Sequence, residues 1–236
     1  MTARIVCAWS GGAEAWARIA ATAAARAAEI VTLTLDLGQG TDLEEVRDRA
    51  LASGAVRAHV LDVREEFARD HVLPALHANA LQADPDGQQL AAQLAARKLE
   101  EVAAIEGATP VTESIAIDGT LLGRHGAAYT LTKASADAPS APAHVEIAFE
   151  HGVPVAINGV SMALTELIEI LTIIAGHHGV GRIGLVEAPA AVVLMTAYAA
   201  LAGACQPTDV TGIVRLTLLK GDHTVSGVSR LMAEPS

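Results

Sequence analysis

The apolar run Arg4-Ile5-Val6-Cys7 ends in Ala8-Trp9-Ser10-Gly11-Gly12 and passes at once into an alanine-rich, helix-like stretch from Ala13 to Glu29. Residues 30–37 then alternate β-branched and aliphatic side chains, which predicts a second strand, broken by Gly38-Gln39-Gly40. Thr41 and Glu44 stand at capping-box spacing, and Leu43, Val46, Ala50 and Leu51 recur at helical intervals up to Gly54. A third strand is expected over 56–63, followed by a mixed helix over 65–81 that Pro74 divides. Leu90, Leu94, Leu99, Val102 and Ile105 trace one face of a long helix that Gly107 closes. This β-α-β-α-β-α-α order predicts an α/β fold: an open parallel sheet with its ligand crevice at the carboxyl ends of the strands.

Beyond Thr109 the pattern changes. A connection rich in Ala, Ser and Pro covers 134–143, and Val145, Ile147 and Phe149 then alternate into His151-Gly152. Residues 153–157 return as the second arm of a hairpin, and Asn158-Gly159 turns the chain again. Ser161 is placed to cap a helix whose apolar face is Leu164, Leu167, Ile168, Leu171 and Ile174. Residues 210–219 and 224–229, joined at Gly221-Asp222, predict a second hairpin. A nucleotide-type α/β domain over 1–112 is therefore expected ahead of a smaller α+β domain over 113–236.

Composition narrows the partners. The chain has 27 acidic against 16 basic residues, a net charge of −11, and 3% aromatics. Phosphate backbones need clustered cations and single strands need stacking rings, so nucleic acid is not an expected partner. Cys7 and Cys205 imply no disulfide framework, and with no apolar leader after Met1 the expected compartment is the cytoplasm. The longest uncharged stretch, 188–205, approaches membrane length but contains Pro189, Thr196 and Tyr198. Burial in protein, at a subunit contact of a homo-oligomer (dimer or tetramer), is expected instead.

A strand that runs through two glycines into a helix lets backbone approach a phosphate. Glycine carries no Cβ, and the first helical N–H groups have no partner of their own. Ala8, Trp9, Ser10, Gly11 and Gly12 are therefore candidate nucleotide-binding residues, with a plain structural turn as the other reading. Two readings also stand for Glu14: a hard carboxylate suited to Mg2+, or an acid complementing the dipole of its helix. Asp36 and Gln39, at the same edge, either meet ribose or phosphate or shape the turn. His177 and His178 are adjacent, about 100° apart on a helix, and have no further ligand at useful spacing, so no metal site is expected.

These segments resemble the argininosuccinate synthase family, in order, along the whole chain. Among the matching pieces are Trp9-Ser10-Gly11-Gly12, Asp36-Leu37-Gly38-Gln39-Gly40, Arg64-Glu65-Glu66-Phe67, Gly152-Val153-Pro154-Val155-Ala156-Ile157-Asn158-Gly159 and His178-Gly179-Val180-Gly181-Arg182-Ile183. The resemblance implies a sheet of the ATP-pyrophosphatase (HUP) type with a PP-loop at Ser10-Gly11-Gly12, followed by a multimerisation domain. It also implies ATP as co-substrate: the family adenylylates the ureido oxygen of citrulline, and the amine of aspartate then displaces AMP. By the same resemblance Leu35 takes the place of a small residue on the adenine side.

The departures from the family pattern are concentrated in ligand segments. Glu14 replaces an Asp, Ala15 and Trp16 replace a small hydroxyl pair, and an indole at 16 is expected to crowd or cover the phosphate pocket. The family's Gly-Thr-Ser-Leu-Ala-Arg-Pro reads Gly87-Gln88-Gln89-Leu90-Ala91-Ala92-Gln93, a glycine-rich clamp is missing after Ala108, and Ala116 replaces a substrate-contacting Ser. A further family stretch is missing after Glu187. The resemblance thus implies a nucleotide-binding or assembly protein without ordinary synthase activity, weak or lost ATP binding, and a full-length synthase as a possible partner. An adenylylating ligase with a changed acceptor is the alternative.

Overall fold

The structure, a computed structural model, describes residues 3–10, 13–112, 117–126, 128–205 and 209–230, and of residues 13–15 and 18 the backbone alone. Gly11, Gly12, Ala116 and the side chain of Glu14 therefore lie outside the described residues. The chain divides into two compact units, Met1–Phe67 with Gln88–Thr120, and Ala68–Gly87 with Leu121–Ser236. Residues 68–87 group with the second unit, so the division is discontinuous in sequence, which a single boundary near 112 does not express.

In the first unit β1 (Ala3–Ala8), α1 (Ala13–Arg26), β2 (Ala28–Asp36), α2 (Leu43–Ala52), β3 (Arg57–Asp62) and α3 (Arg64–Phe67) follow in order. Helix α1 stops three residues earlier than expected, because Ala27 takes a positive φ of 47° and the chain enters β2 directly. The cap of α2 is Asp42, not Thr41: its carboxylate accepts the N–H of Glu45 at 3.0 Å. The later elements of this unit are α5 (Gln88–Glu106) and β4 (Thr109–Val111), after α4 (Leu73–His77) in the second. The sheet order is β3-β2-β1-β4, all parallel. The sequence pattern did not disclose β4, a three-residue edge strand containing Pro110, a residue that only an edge tolerates. Because the chain builds outward from β1 to β3 and then returns to the other side of β1, the topological switch falls between β1 and β4.

Helix α5 buries Ala91, Leu94, Ala95, Leu99 and Val102 as its periodicity requires, but Ile105 is 78% exposed and Glu106 is buried in its stead. Cations at the amino ends of the strands explain that inversion. Glu106 Oε1 accepts from Arg57 Nη1 at 2.6 Å and pairs with His59 Nε2 at 2.8 Å, and its Oε2 lies 3.3 Å from Arg4 Nη1.

The second unit opens with a π-helical turn (Ala68–Val72) and α4, which carries Pro74 in its first turn. The widened turn ahead of Pro74 is how the helix accommodates a residue without an N–H. Strands β5 (Arg124–His125), β6 (Ala143–Glu150), β7 (Val153–Ile157) and β8 (Val160–Ser161) lead to α6 (Leu164–His177). Ser161 lies in β8 and does not cap α6, whose cap is Ala163 without a side-chain bond. Then come β9 (Arg182–Ile183), β10 (Val186–Glu187), α7 (Pro189–Ala204), β11 (Gly212–Leu219) and β12 (Asp222–Arg230). The antiparallel sheets run β5-β10-β9 and β12-β11-β6-β7-β8. The last hairpin turns at Lys220-Gly221, one residue earlier than expected.

The uncharged α7 packs on α6, β11 and β12, which leaves Ala190, Ala191, Val193, Leu194, Ala197 and Leu201 almost fully buried. Its apolarity is thus accounted for inside this unit. No helix among the described residues is long and apolar enough to cross a membrane.

Candidate functional site

At the carboxyl edge of the parallel sheet, the ends of β1 and β2 and the segment Ile117-Asp118-Gly119 line one cleft. Ala8, Trp9 and Ser10 come from the end of β1 and its exit; Leu33, Leu35 and Leu37 come from β2 and its exit. The volume is about 40 Å3. One water needs roughly 10–15 Å3, whereas small-molecule sites usually span about 300–1,000 Å3. The cleft thus has room for a few waters.

Trp9 is fixed from three directions. Its backbone N–H donates to Leu33 O at 2.9 Å, its carbonyl accepts the hydroxyl of Thr34 at 2.9 Å, and its indole donates to Val46 O at 3.2 Å. The ring itself belongs to the core formed with Ile5, Cys7 and Val46. Trp16, expected to crowd the phosphate pocket, packs against this same cluster and meets Trp9 edge-on at 5.7 Å; it is not among the residues lining the cleft. Burial pushes the Cys7 thiol up to about 11, the charge of Arg26 opposing only in part, so Cys7 is a packing residue without nucleophilic character at neutral pH.

Asp36 and Gln39 shape the turn. The Asp36 carboxylate accepts the N–H of Gly38 at 2.9 Å and lies 3.4 Å from Arg64 Nε. The Gln39 amide donates to Leu35 O at 2.8 Å while its oxygen accepts the N–H of Leu37 at 2.7 Å. Gly38 and Gly40, both at positive φ, allow the chain to fold around that amide. Leu35, 8% exposed, faces the cleft as an aliphatic wall.

Among the described lining residues Asp118 is the only ionisable one, and no Lys or Arg is present. An anion here would depend on backbone amides and hydroxyls alone. Thr34 and Asp118 are lining residues that pattern reading did not single out: Thr34 looked like any β-branched strand residue, and Asp118 was visible only as part of a motif. Among the described residues no group of three His, Cys, Asp or Glu is placed to hold a metal ion.

The family model for the Arginosuccinate synthase N-terminal HUP domain matches residues 4–152, and that for the C-terminal domain matches 122–206. The chain belongs to the argininosuccinate synthase family. Relatives named argininosuccinate synthase include that of Gloeobacter violaceus, 34% identical, with 79% of this chain aligned to 68% of the relative. The Synechococcus elongatus protein is 31% identical over 85% of this chain and 81% of its own length, and the Streptococcus suis protein 30% identical over 83% and 70%. The alignment with the Synechococcus elongatus synthase runs over 325 positions, more than the 236 residues this chain possesses. That synthase therefore carries internal stretches for which this chain has no counterpart.

The junction after Glu187, where a family stretch is expected to be missing, is short. Strand β10 ends at Glu187 and α7 begins at Pro189, so a single residue connects them. Glu187, 1% exposed, is wrapped by the N–H groups of Thr130, Leu131 and Thr132 at 2.7–2.9 Å and by the Thr132 hydroxyl at 2.7 Å. Burial alone would raise its pKa, but these four donors prevail and hold it below the ordinary carboxylate value. Arg182 secures the same loop by donating to the Thr132 hydroxyl and carbonyl at 2.8 and 2.6 Å. Glu187 thus acts as the anchor of a loop.

Proposed function

We propose that this member of the argininosuccinate synthase family has kept the nucleotide-domain framework and shed the pockets for citrulline and aspartate. It serves as a nucleotide-binding or assembly protein and does not carry out ordinary argininosuccinate synthesis. The observation that supports this reading is the surplus of alignment positions in the relatives over the residues of this chain. By resemblance the missing stretches are the clamp after Ala108 and the segment after Glu187. Each lost charge-assisted contact costs about 2 to 4 kcal/mol of transition-state stabilisation, and losing several together removes the reaction.

The small cleft, with no cation among its described lining residues, favours weak ATP binding, with Mg2+ carried by the nucleotide and not by a built site. The protein acts in the cytoplasm as a homo-oligomer or beside a full-length synthase. Calorimetry with ATP and Mg2+ gives weak or no heat of binding, and added citrulline and aspartate release no pyrophosphate. Turnover of that substrate pair overturns the proposal. The survival of Ser10-Gly11-Gly12 and of residues 36–40 favours a second reading, an adenylylating ligase for another carboxylate, amide or ureido acceptor. ATP–pyrophosphate exchange across a panel of such compounds separates the two: exchange with any of them replaces the first reading with the second.

A further inference from the structure

The second unit carries a cavity unlike the cleft. It is open, has a volume of about 480 Å3, and is lined by Ser135, Arg182, Lys220, Asp222 and His223 together with backbone at Gly179, Gly181 and Gly221. The chain has only three lysines, at 98, 133 and 220. Of these, Lys220 lines this cavity, together with Arg182. With Arg182 and Lys220 against Asp222, the lining is basic by one charge in a protein of net charge −11.

Close backbone packing shapes the cavity wall. Gly181 has a φ of +101°, and a Cβ there would lie 2.4 Å from Pro189 Cα. A Cβ on Gly221, at φ +97°, would come within 3.2 Å of the Ser135 hydroxyl. Side chains are excluded from both places. Among the described residues neither the Lys220 ammonium nor the Ser135 hydroxyl has a hydrogen-bond or ion-pair partner, and the same is true of the His223 ring.

We propose that this cavity is an anion site for a small phosphoryl-bearing ligand, held by Lys220, Ser135 and His223. Arg182 is engaged elsewhere in part: its Nε and one Nη2 N–H are committed to Thr132 and its guanidinium lies over the Tyr129 ring at 4.1 Å, so only its Nη1–Nη2 end is left for an anion. What remains is a point charge, a hydroxyl and an imidazole spaced around an open volume, which matches a tetrahedral group with several oxygens. Asp222 is the acid in the lining and works against binding.

The test is an NMR titration of the whole chain with inorganic pyrophosphate, with citrate at equal ionic strength as the non-phosphoryl anion. Pyrophosphate is expected to move the amides of Gly179, Gly181 and Gly221 saturably. Lys220→Gln should weaken that response about tenfold, and Asp222→Asn should strengthen it severalfold. Three results overturn the proposal: no shift at these amides, shifts indifferent to both variants, or an equal response to citrate. Shifts confined to Ser10 and its neighbours also overturn it while leaving the reading of the nucleotide domain intact.

Discussion

The two edges of the parallel sheet handle polar groups in opposite ways. At the carboxyl edge every bond found for Gln39, and the Asp42 cap, spans four residues or fewer, and Asp36 closes its own turn in the same manner. At the amino edge Glu106 gathers Arg57, His59 and Arg4 from 47 to 102 residues away. The long-range bonds tie α5, β1 and β3 together, whereas the local ones hold only a loop. A domain arranged so can lose ligand-binding segments beside the Gln39 loop and keep its fold, because its elements are joined by the Glu106 cluster at one edge and by the buried Trp9 bonds to Leu33, Thr34 and Val46 at the other, none of which passes through that loop. That matches a family member lacking internal stretches its relatives possess.

The largest effect should therefore follow from Glu106, far from the cleft. Its side chain is 2% exposed, so Glu106→Ala leaves two guanidinium groups and an imidazole facing a cavity and is expected to cost about 3 kcal/mol. That is the lower end of the range for a broken buried pair, since Arg57 and Arg4 can partly turn to water. Urea unfolding measures it; a loss below about 1 kcal/mol would place Glu106 with ordinary surface pairs and dissolve the contrast between the edges.

The same residue sets an acid limit. Hydrogen bonds from His59 and Arg57 hold the Glu106 carboxyl below its ordinary value of 4.5. A group whose pKa is depressed on folding stabilises in full above its unfolded value, and that contribution vanishes as pH falls through the lower folded value. Stability is thus expected to fall below about pH 4.5, with Glu187 adding to the slope in the same direction. Glu106→Gln should flatten the curve there. An unchanged acid limb in that variant would mean the carboxylate gains nothing from its partners.

How far the molecule was legible in its sequence follows the same division. The parallel core, the glycine-broken exit of β2 and both late hairpins depend on local periodicity and turn chemistry, and all were readable. The edge strand β4 was not, being three residues long with a proline in the middle. The inversion at Ile105 and Glu106 was also hidden, because apolar periodicity pointed the wrong residue inward and the deciding cations lie on other strands. At the cleft the strand pattern put Ser10, Asp36 and Gln39 at one edge and the family resemblance added Leu35; the structure places Ser10, Leu35 and Gln39 in the lining and Asp36 in the turn. The sequence could not tell that Asp36 and Gln39 bond their own loop, since turn-forming and ligand-facing polar residues share one composition. Trp16 misled for a related reason: replacement of a small residue suggested obstruction, whereas the ring found room against Trp9.

A smaller effect tests whether the local edge is as self-contained as it looks. Gln39→Ala removes two half-buried bonds to Leu35 and Leu37, at about 0.5–1.5 kcal/mol each, part of which water restores. A net loss of about 1 kcal/mol is expected, with amide exchange quickening at 37–40 and unchanged in α5. Spread of that quickening into α5 would show the two edges to be coupled.

The smallest predicted change separates two adjacent residues. Asp42 caps α2 through Glu45 N–H, while Thr41, one position outside, lines the cleft. Asp42→Ala should cost about 1 kcal/mol, and Thr41→Ala next to nothing by thermal unfolding. Because α2 carries the Val46 carbonyl that receives the Trp9 indole, fraying at its start should also register in the Trp9 fluorescence of the Asp42 variant. If the Thr41 variant were the costly one, the cap would sit a residue earlier, as capping-box spacing with Glu44 suggests. The carboxyl edge would then owe its shape to the Thr41 hydroxyl and not to the Asp42 carboxylate.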